Sequence, residues 1–296
     1  MSWFSRAKPV ADALLPMLSV DDAEWLRACA VRAFAEAGAP TPRSAGDHLV
    51  DARGQVYGLG NLAVIVSLMP RSEREEVVRE HARAVVAAGS RQSPQSLAEI
   101  QDIVIARVVA AGTPGEGPDL APGLALRACI DYPETVATIY DLAPLGGWEA
   151  VGPVALANLA RLPLPDHQAV DAGGGGTVHL LSSEDMFGAS RLLLHDQLLA
   201  ALGIGTLGYG TLVAVPHRHL LAVHVLADER VVTALNALVG LARSGADAAG
   251  PVSPEVYYRS PDGRLQQVTS TAADGGVAVQ VDGAFSSAMA AARLIS

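Results

Sequence analysis

"VAVPHRHLLAVHVLADE", residues 213–229, places three histidines within eight positions of an otherwise apolar stretch. Two readings compete. As one continuous strand, 213–225 would put His217 and His219 on one face with Val213, Val215, Leu221 and Val223, an i,i+2 spacing suited to a metal. Such a site needs more ligands, yet His224 falls on the opposite face and no carboxylate occurs before Asp228. Pro216 cannot donate to a strand ladder and favours the start of a turn. The preferred reading is a reversal over 216–219 between two buried strands, with the histidines exposed at the turn and no metal bound.

Working outward, 296 residues of which half are hydrophobic can fill one large core or two ordinary ones. The formal charge is -10 and the pI about 5.2. With no run of Lys and Arg to displace counterions, nucleic acid is not expected as a partner, and the same acidity disfavours an anionic membrane surface. Cys29 and Cys129, the two cysteines, sit among apolar neighbours and read as buried thiols rather than a disulfide or zinc ligands. The first residues, MSWFSRAKPVADALLPML, lack the pattern of a signal peptide, and LAVIVSLM at 62–69 is far shorter than the ~20 residues a bilayer needs. A cytoplasmic protein without a cofactor is the expectation.

Helical periodicity begins at Ser19, with Asp21 or Asp22 as N-cap and Gly38 as the stop. HLVDARGQVYGLGNLAVIVSLM reads as strands about the turn 51–54, and EREEVVREHARAVVAAG as a helix ended by Gly89. IQDIVIARVVAAG is a strand, and the Pro/Gly-rich loop 113–123 divides a unit at 1–112 from one at 124–296. Beyond the loop follow strands in LALRACIDYPETVATI, a helix in GWEAVGPVALANLARLP, a turn region with four glycines at 173–176, and a strand in TVHLLSSED. FGASRLLLHDQLLAALG reads as a helix with Asp185 as its N-cap. Then come the 213–225 strand pair, the helix RVVTALNALVGLARSG, a hairpin about 261–263, and the closing strand GGVAVQV with the helix AFSSAMAAARL. Strands joined by hairpins and flanked by helices make the expected class α+β, with mainly antiparallel sheets and two similar helix-hairpin-helix halves at 19–88 and 187–244.

Few residues stand out chemically. His195 reads as a partly buried structural histidine at the edge of a helical stripe, and His179, with no carboxylate identified beside it, is given no special role. Ser190 in DMFGASR superficially resembles a nucleophile elbow, but the second flanking small residue is replaced by Leu192. GIGTLGYG at 203–210 mimics a dinucleotide fingerprint in the wrong context, after a helix and before a strand, so Gly203 reads as a helix C-cap.

Three stretches together carry a resemblance: NLARLP at 158–163, SSEDMFGASRLLLHDQLLAAL at 182–202, and VAVPHRHLLAV followed by VSPEVYYRSPDGRLQQV. They resemble the YtpQ-like family of bacterial proteins of unknown function, through Asn158, Leu159, Leu162, Pro163, Ala189, Ser190, Arg191, Val215, Pro216 and His217. The likeness covers roughly 125–270 and is looser over 19–110; the Gly-rich loop and the tail after 270 depart from it. In the family pattern the position of His219 holds Asp or His, which suits a reverse turn. The resemblance implies no reaction and no catalytic residues.

The functional expectation is therefore a non-enzymatic protein-binding module, chaperone- or immunity-like, whose partner is another protein bound on a sheet face or edge. The alternative is a small-molecule-binding protein or enzyme with a pocket formed by Asp185, Ser190, Arg191, His217 and His219, in which Arg191 orients an anion and a histidine acts as base. The apolar composition, mean hydropathy +0.28, also admits a homo-oligomer.

Overall fold

The chain is seen in a computed structural model that describes residues 10–89, 93–133, 135–245, 248–272 and 276–295. The N-terminal stretch 1–9, the start of the polar 90–99 segment and Gly275 at the head of GGVAVQV lie outside the described residues. Two units are present, one up to residue 92 together with 247–249, the other holding 93–246 and 250–296. The boundary falls in the polar segment near 92, and the loop 113–123 is internal to the second unit.

The first unit opens with α1 (Val20–Glu36), whose N-cap is Ser19, accepting from the Asp22 amide at 3.2 Å; Asp21 and Asp22 lie within the first turn rather than at the cap. Both still favour the helix, since negative charge complements its N-terminal dipole. Leu26, Cys29, Ala30, Ala33 and Phe34 form the buried stripe. A three-stranded antiparallel sheet follows, β1 (Arg43–Ser44), β2 (His48–Val50) and β3 (Val56–Gly58). Asp51 fixes the turn between β2 and β3: its carboxylate accepts from the amides of Arg53 and Gln55 at 2.8 and 2.9 Å and from the Tyr57 hydroxyl at 3.1 Å. The apolar run after it is not a strand but α2 (Gly60–Ser67), with Leu62, Ala63, Val64 and Val66 buried. A short apolar run carries no period that separates a buried helix from a strand, and here tertiary burial decides. α3 (Arg71–Gly89) buries Val78, Ala82 and Val86, spaced by four, against the same core.

The second unit is built on a six-stranded, wholly antiparallel sheet. In chain order its strands are β8 (Asp166–Asp171), β9 (Thr177–Ser182), β10 (Thr211–Ala214), β11 (Leu220–Val225), β12 (Val256–Arg259) and β13 (Leu265–Gln267), arranged β13-β12-β10-β11-β9-β8. The segment 166–171, expected as part of a turn region, pairs with β9, and the glycines at 173–176 form the hairpin tip, closed by Ala172 N–H donating to the Gly176 carbonyl at 2.6 Å. Strands β4 (Val104–Ala110), β5 (Asp119–Ala121), β6 (Leu124–Tyr132) and β7 (Thr135–Thr138) make a second antiparallel sheet about β6. A third pair, β14 (Thr269–Thr271) and β15 (Val277–Val279), lies near the end.

Alternation along the central strands loads both faces of the large sheet. Leu212, Ala214, Ala222 and Tyr258 pack with α6 (Val231–Ser244) and α7 (Gly283–Ala291). Val213, Val215, Leu221, Val223 and Tyr257 pack on the other side with Leu192, Leu198 and Leu199. Because both faces are buried, the strands read as continuous apolar runs. α4 (Gly147–Leu159) covers the β4–β6 sheet through Val151 and Ala155. The helix expected from Phe187 onward begins as a 3-10 segment, Ala189–Leu194, and becomes α5 only at His195–Ala201. The α+β class is thus observed.

The quoted stretch is a hairpin. β10 and β11 pair with Ala214 opposite Ala222, and Leu220 N–H donates to the His217 carbonyl at 3.1 Å. The histidines expected to be exposed there are half-buried. The cause is a second segment lying along the turn: Ser253, Val252 and Arg218 amides donate to the Val215, Pro216 and Gly250 carbonyls at 3.1, 3.0 and 2.9 Å.

Candidate functional site

The residues singled out from the sequence converge on the junction between this hairpin, the 3-10 segment and β4. Asp185 does not cap a helix; its carboxylate accepts from the Phe187 amide at 2.8 Å and from Arg191 at 2.8 Å. Arg191 is buried and also donates to the Leu159 carbonyl at 3.3 Å. Ser190 is wholly buried, and its Oγ accepts from the Val108 amide at 3.0 Å, an interstrand-like bond that pins the 3-10 segment to β4. Asn158 donates to the Gln101 and Val104 carbonyls at 2.7 and 2.8 Å, tying the end of α4 to the same strand. Ser190 and Arg191 thus hold the junction through bonds to backbone groups of β4 and of the end of α4.

His219 has both ring nitrogens engaged. Nδ1 lies 2.7 Å from the Asp185 carbonyl and 3.2 Å from that of Ser183, so it carries the proton; Nε2 accepts from Arg218 Nε at 2.9 Å. His217 accepts the His219 amide at Nδ1, 3.3 Å away. Among the described residues no three His, Cys, Asp or Glu side chains group as a metal site. The pair His167 and His179, with Nε2 and Nδ1 3.0 Å apart, bonds across β8 and β9.

What His219 does is aim Arg218. The Arg218 stem passes so close under Gly250 that a Cβ there would meet its Cδ at 2.6 Å. The chain of bonds from Arg107 is short: the next residue's amide is held by Ser190 Oγ, and the Ala189 amide donates to the Arg218 carbonyl at 3.0 Å. Arg107 faces Arg127 directly across β4 and β6, and its Nε is shielded from solvent without an acceptor. Arg127 spends its donors on the carbonyls of Thr113, Gly117 and Leu126 at 2.9, 3.3 and 2.6 Å. Among the described residues none of the three arginines has a carboxylate within ion-pair distance. Burial first and the charge of Arg107 second push the Arg218 guanidinium below its ordinary value. Burial pushes the Cys129 thiol up, against the pull of Arg107 beside it. Arg107 was missed in the sequence because nothing near it marks it, and Arg218 because attention fell on the histidines that flank it; their pairing comes from the fold.

A concave site of about 250 Å³ is lined by His195, Asp196, Leu199, Ile204, Thr211 and Arg259, among others. His195 Nε2 is 3.0 Å from Thr211 Oγ and Nδ1 is 2.9 Å from Asp196, whose two oxygens accept from Arg259 at 2.8 and 3.0 Å. The adjacent His-Asp pair was the available sequence signal; Thr211 enters from another element and was not.

Burial pushes four imidazoles below their ordinary value: His179, His195, His217 and His224. At His195 the bond to Asp196 opposes burial, and at His224 the Thr177 carbonyl does, but burial wins in both. The unfolded chain therefore binds more protons than the folded one once pH falls through the usual histidine value of about 6.5, and stability rises with pH there. The urea midpoint is expected to drop as pH is lowered from about 8 to about 5, less so in His224→Gln, which removes a buried ring whose Nε2 has no acceptor. A midpoint that stays level over that interval contradicts this.

Comparison with protein-family models, with curated proteins and with solved structures finds no match to the chain. Among the described residues no helix is long and apolar enough to cross a membrane.

Proposed function

We propose that this is a binding protein whose second unit takes an anionic group, phosphate- or carboxylate-like, between Arg107 and Arg218. The observation that carries this reading is two half-buried arginines, one acting electrostatically on the other, that among the described residues have no carboxylate partner. Like charges in a partly desolvated place repel, and an anion shared between them relieves the repulsion while forming charge-assisted hydrogen bonds. Arg218 is held for this by His219, and the Asp185–Arg191 pair holds the segment that carries the Arg218 contact. The same chemistry is presented by a free anion or by an acidic segment of a protein partner, so the protein-binding expectation drawn from the sequence becomes one arm of the test.

Isothermal titration with inorganic phosphate in one arm and a Glu-rich peptide in the other separates the two sources. Saturable binding at one site is expected, weakened about tenfold or more in Arg218→Ala and in Arg107→Ala, since a hydrogen bond to a charged group contributes ~1.5–3 kcal/mol. Binding of the peptide alone assigns the anion to a protein partner. Equal affinity in the variants, or none in the natural protein, removes the reading.

A further inference from the structure

The anion reading leaves unused a pair of imidazoles at the open edge of the six-stranded sheet. We propose that His167 and His179 bind a late first-row divalent ion, of the Ni²⁺, Cu²⁺ or Zn²⁺ kind, which clamps the edge strand β8 to β9.

The strands set the pair. β8 and β9 run in unbroken register from Asp166 opposite Ser182 to Asp171 opposite Thr177. His167 stands opposite Leu181 and His179 opposite Ala169, so the two histidines are diagonal neighbours on one face, a spacing that long side chains span. The small Ala169 side chain leaves the His179 ring room to cross. His167 Nε2 and His179 Nδ1 lie 3.0 Å apart while the ring centroids are 5.2 Å apart, so the nitrogens are the atoms that lead each ring toward the other.

That separation is the one a metal asks of two ligands. With each imidazole nitrogen about 2.0–2.1 Å from the ion and about 90–110° between the bonds, two nitrogens lie about 2.8–3.4 Å apart. Two neutral rings keep such a distance by sharing one proton, donated by one nitrogen to the lone pair of the other. An ion takes the place of that proton, and a turn of the exposed His167 ring brings both lone pairs onto it.

Access and chemistry agree. His167 is exposed and His179 half-buried, so an ion reaches the pair from solvent, and water fills the coordination positions that the protein leaves open. Ions that favour imidazole nitrogen are selected, whereas Mg²⁺ and Ca²⁺ require oxygen ligands. The chain's formal charge of -10 favours the approach of a cation. β8 stands last in the sheet and pairs with β9 alone among the described strands, so it is the strand with most to gain from a clamp.

Titration calorimetry of the full chain with Ni²⁺ at about pH 7.5 tests the site. One ion per chain is expected to bind at it, at least about tenfold more weakly in His167→Ala and in His179→Ala, and at least about tenfold more weakly near pH 5.5, where protons compete for the rings. His48→Gln is the control, a histidine of the first unit bonded to the adjacent Asp47 at 2.7 Å, and should leave that affinity unchanged. Amide exchange reads the clamp itself: Ni²⁺ should slow exchange in β8 of the natural protein and not of His167→Ala. Absence of a saturable site, equal affinity in the natural protein and both alanine variants, or β8 exchange indifferent to Ni²⁺ overturns the proposal and leaves the pair as a cross-strand hydrogen bond.

Discussion

Gly188→Ala is expected to destabilise the second unit by about 3 kcal/mol, near the upper end of what overpacking costs. The reason is not backbone conformation, since Gly188 has φ -52° and ψ -51°, open to any residue. It is close approach: a Cβ would meet the His219 carbonyl carbon at 2.3 Å, its oxygen at 2.4 Å and its Cα at 2.8 Å. All three are backbone atoms of the 216–219 turn, and that turn is held on its other side by the 250–253 segment. Neither wall can yield cheaply. Gly240 in α6 is the control, with nothing within 4 Å of its Cβ position, so Gly240→Ala should stabilise by roughly 0.5–1 kcal/mol. Urea denaturation of both variants checks the contrast in sign; a neutral Gly188→Ala would mean that the turn does not sit against the 3-10 segment.

Asp185→Ala is expected to cost about 3 kcal/mol, the lower end of the range for removing one partner of a buried ion pair. Arg191 has 4% of its side chain exposed and Asp185 31%, so the effect comes mainly from leaving the guanidinium buried with a single carbonyl at 3.3 Å. The partial exposure of Asp185 keeps the cost from the upper end. Asp185→Ala combined with Arg191→Met should recover most of the loss, because two apolar groups leave no charge to desolvate. If the double variant is as unstable as Asp185→Ala, the single-variant loss reflects the Phe187 turn that Asp185 also holds, not the ion pair.

Much of this fold was legible because its strands alternate and its turns carry Gly, Pro and Asp at the required positions. The hairpin at 213–225 followed from Pro216 and from the face assignments alone. The run 60–67 misled because a short apolar segment looks the same in a helix or a strand until its neighbours are known. Residues 166–171 misled for the opposite reason: β8 is an exposed edge strand, so its polar sequence carries no burial pattern.

The site was legible only in part. Asp185, Ser190, Arg191, His217 and His219 were singled out as a group, and they do meet, but Ser190 and Arg191 are spent on backbone groups. His219 accepts a hydrogen bond from Arg218. Arg107, on the edge strand β4, was beyond sequence reasoning because it acquires its role from a partner distant in the chain.

In the function we propose, Arg107 and Arg218 together hold an anion. A crystal structure of the protein grown with tungstate, a heavy analogue of phosphate, tests it most directly. The account predicts an anomalous peak within about 3 Å of guanidinium nitrogens of both residues, in keeping with charge-assisted hydrogen bonding. Tungstate bound elsewhere, with the two guanidiniums unoccupied, would contradict it.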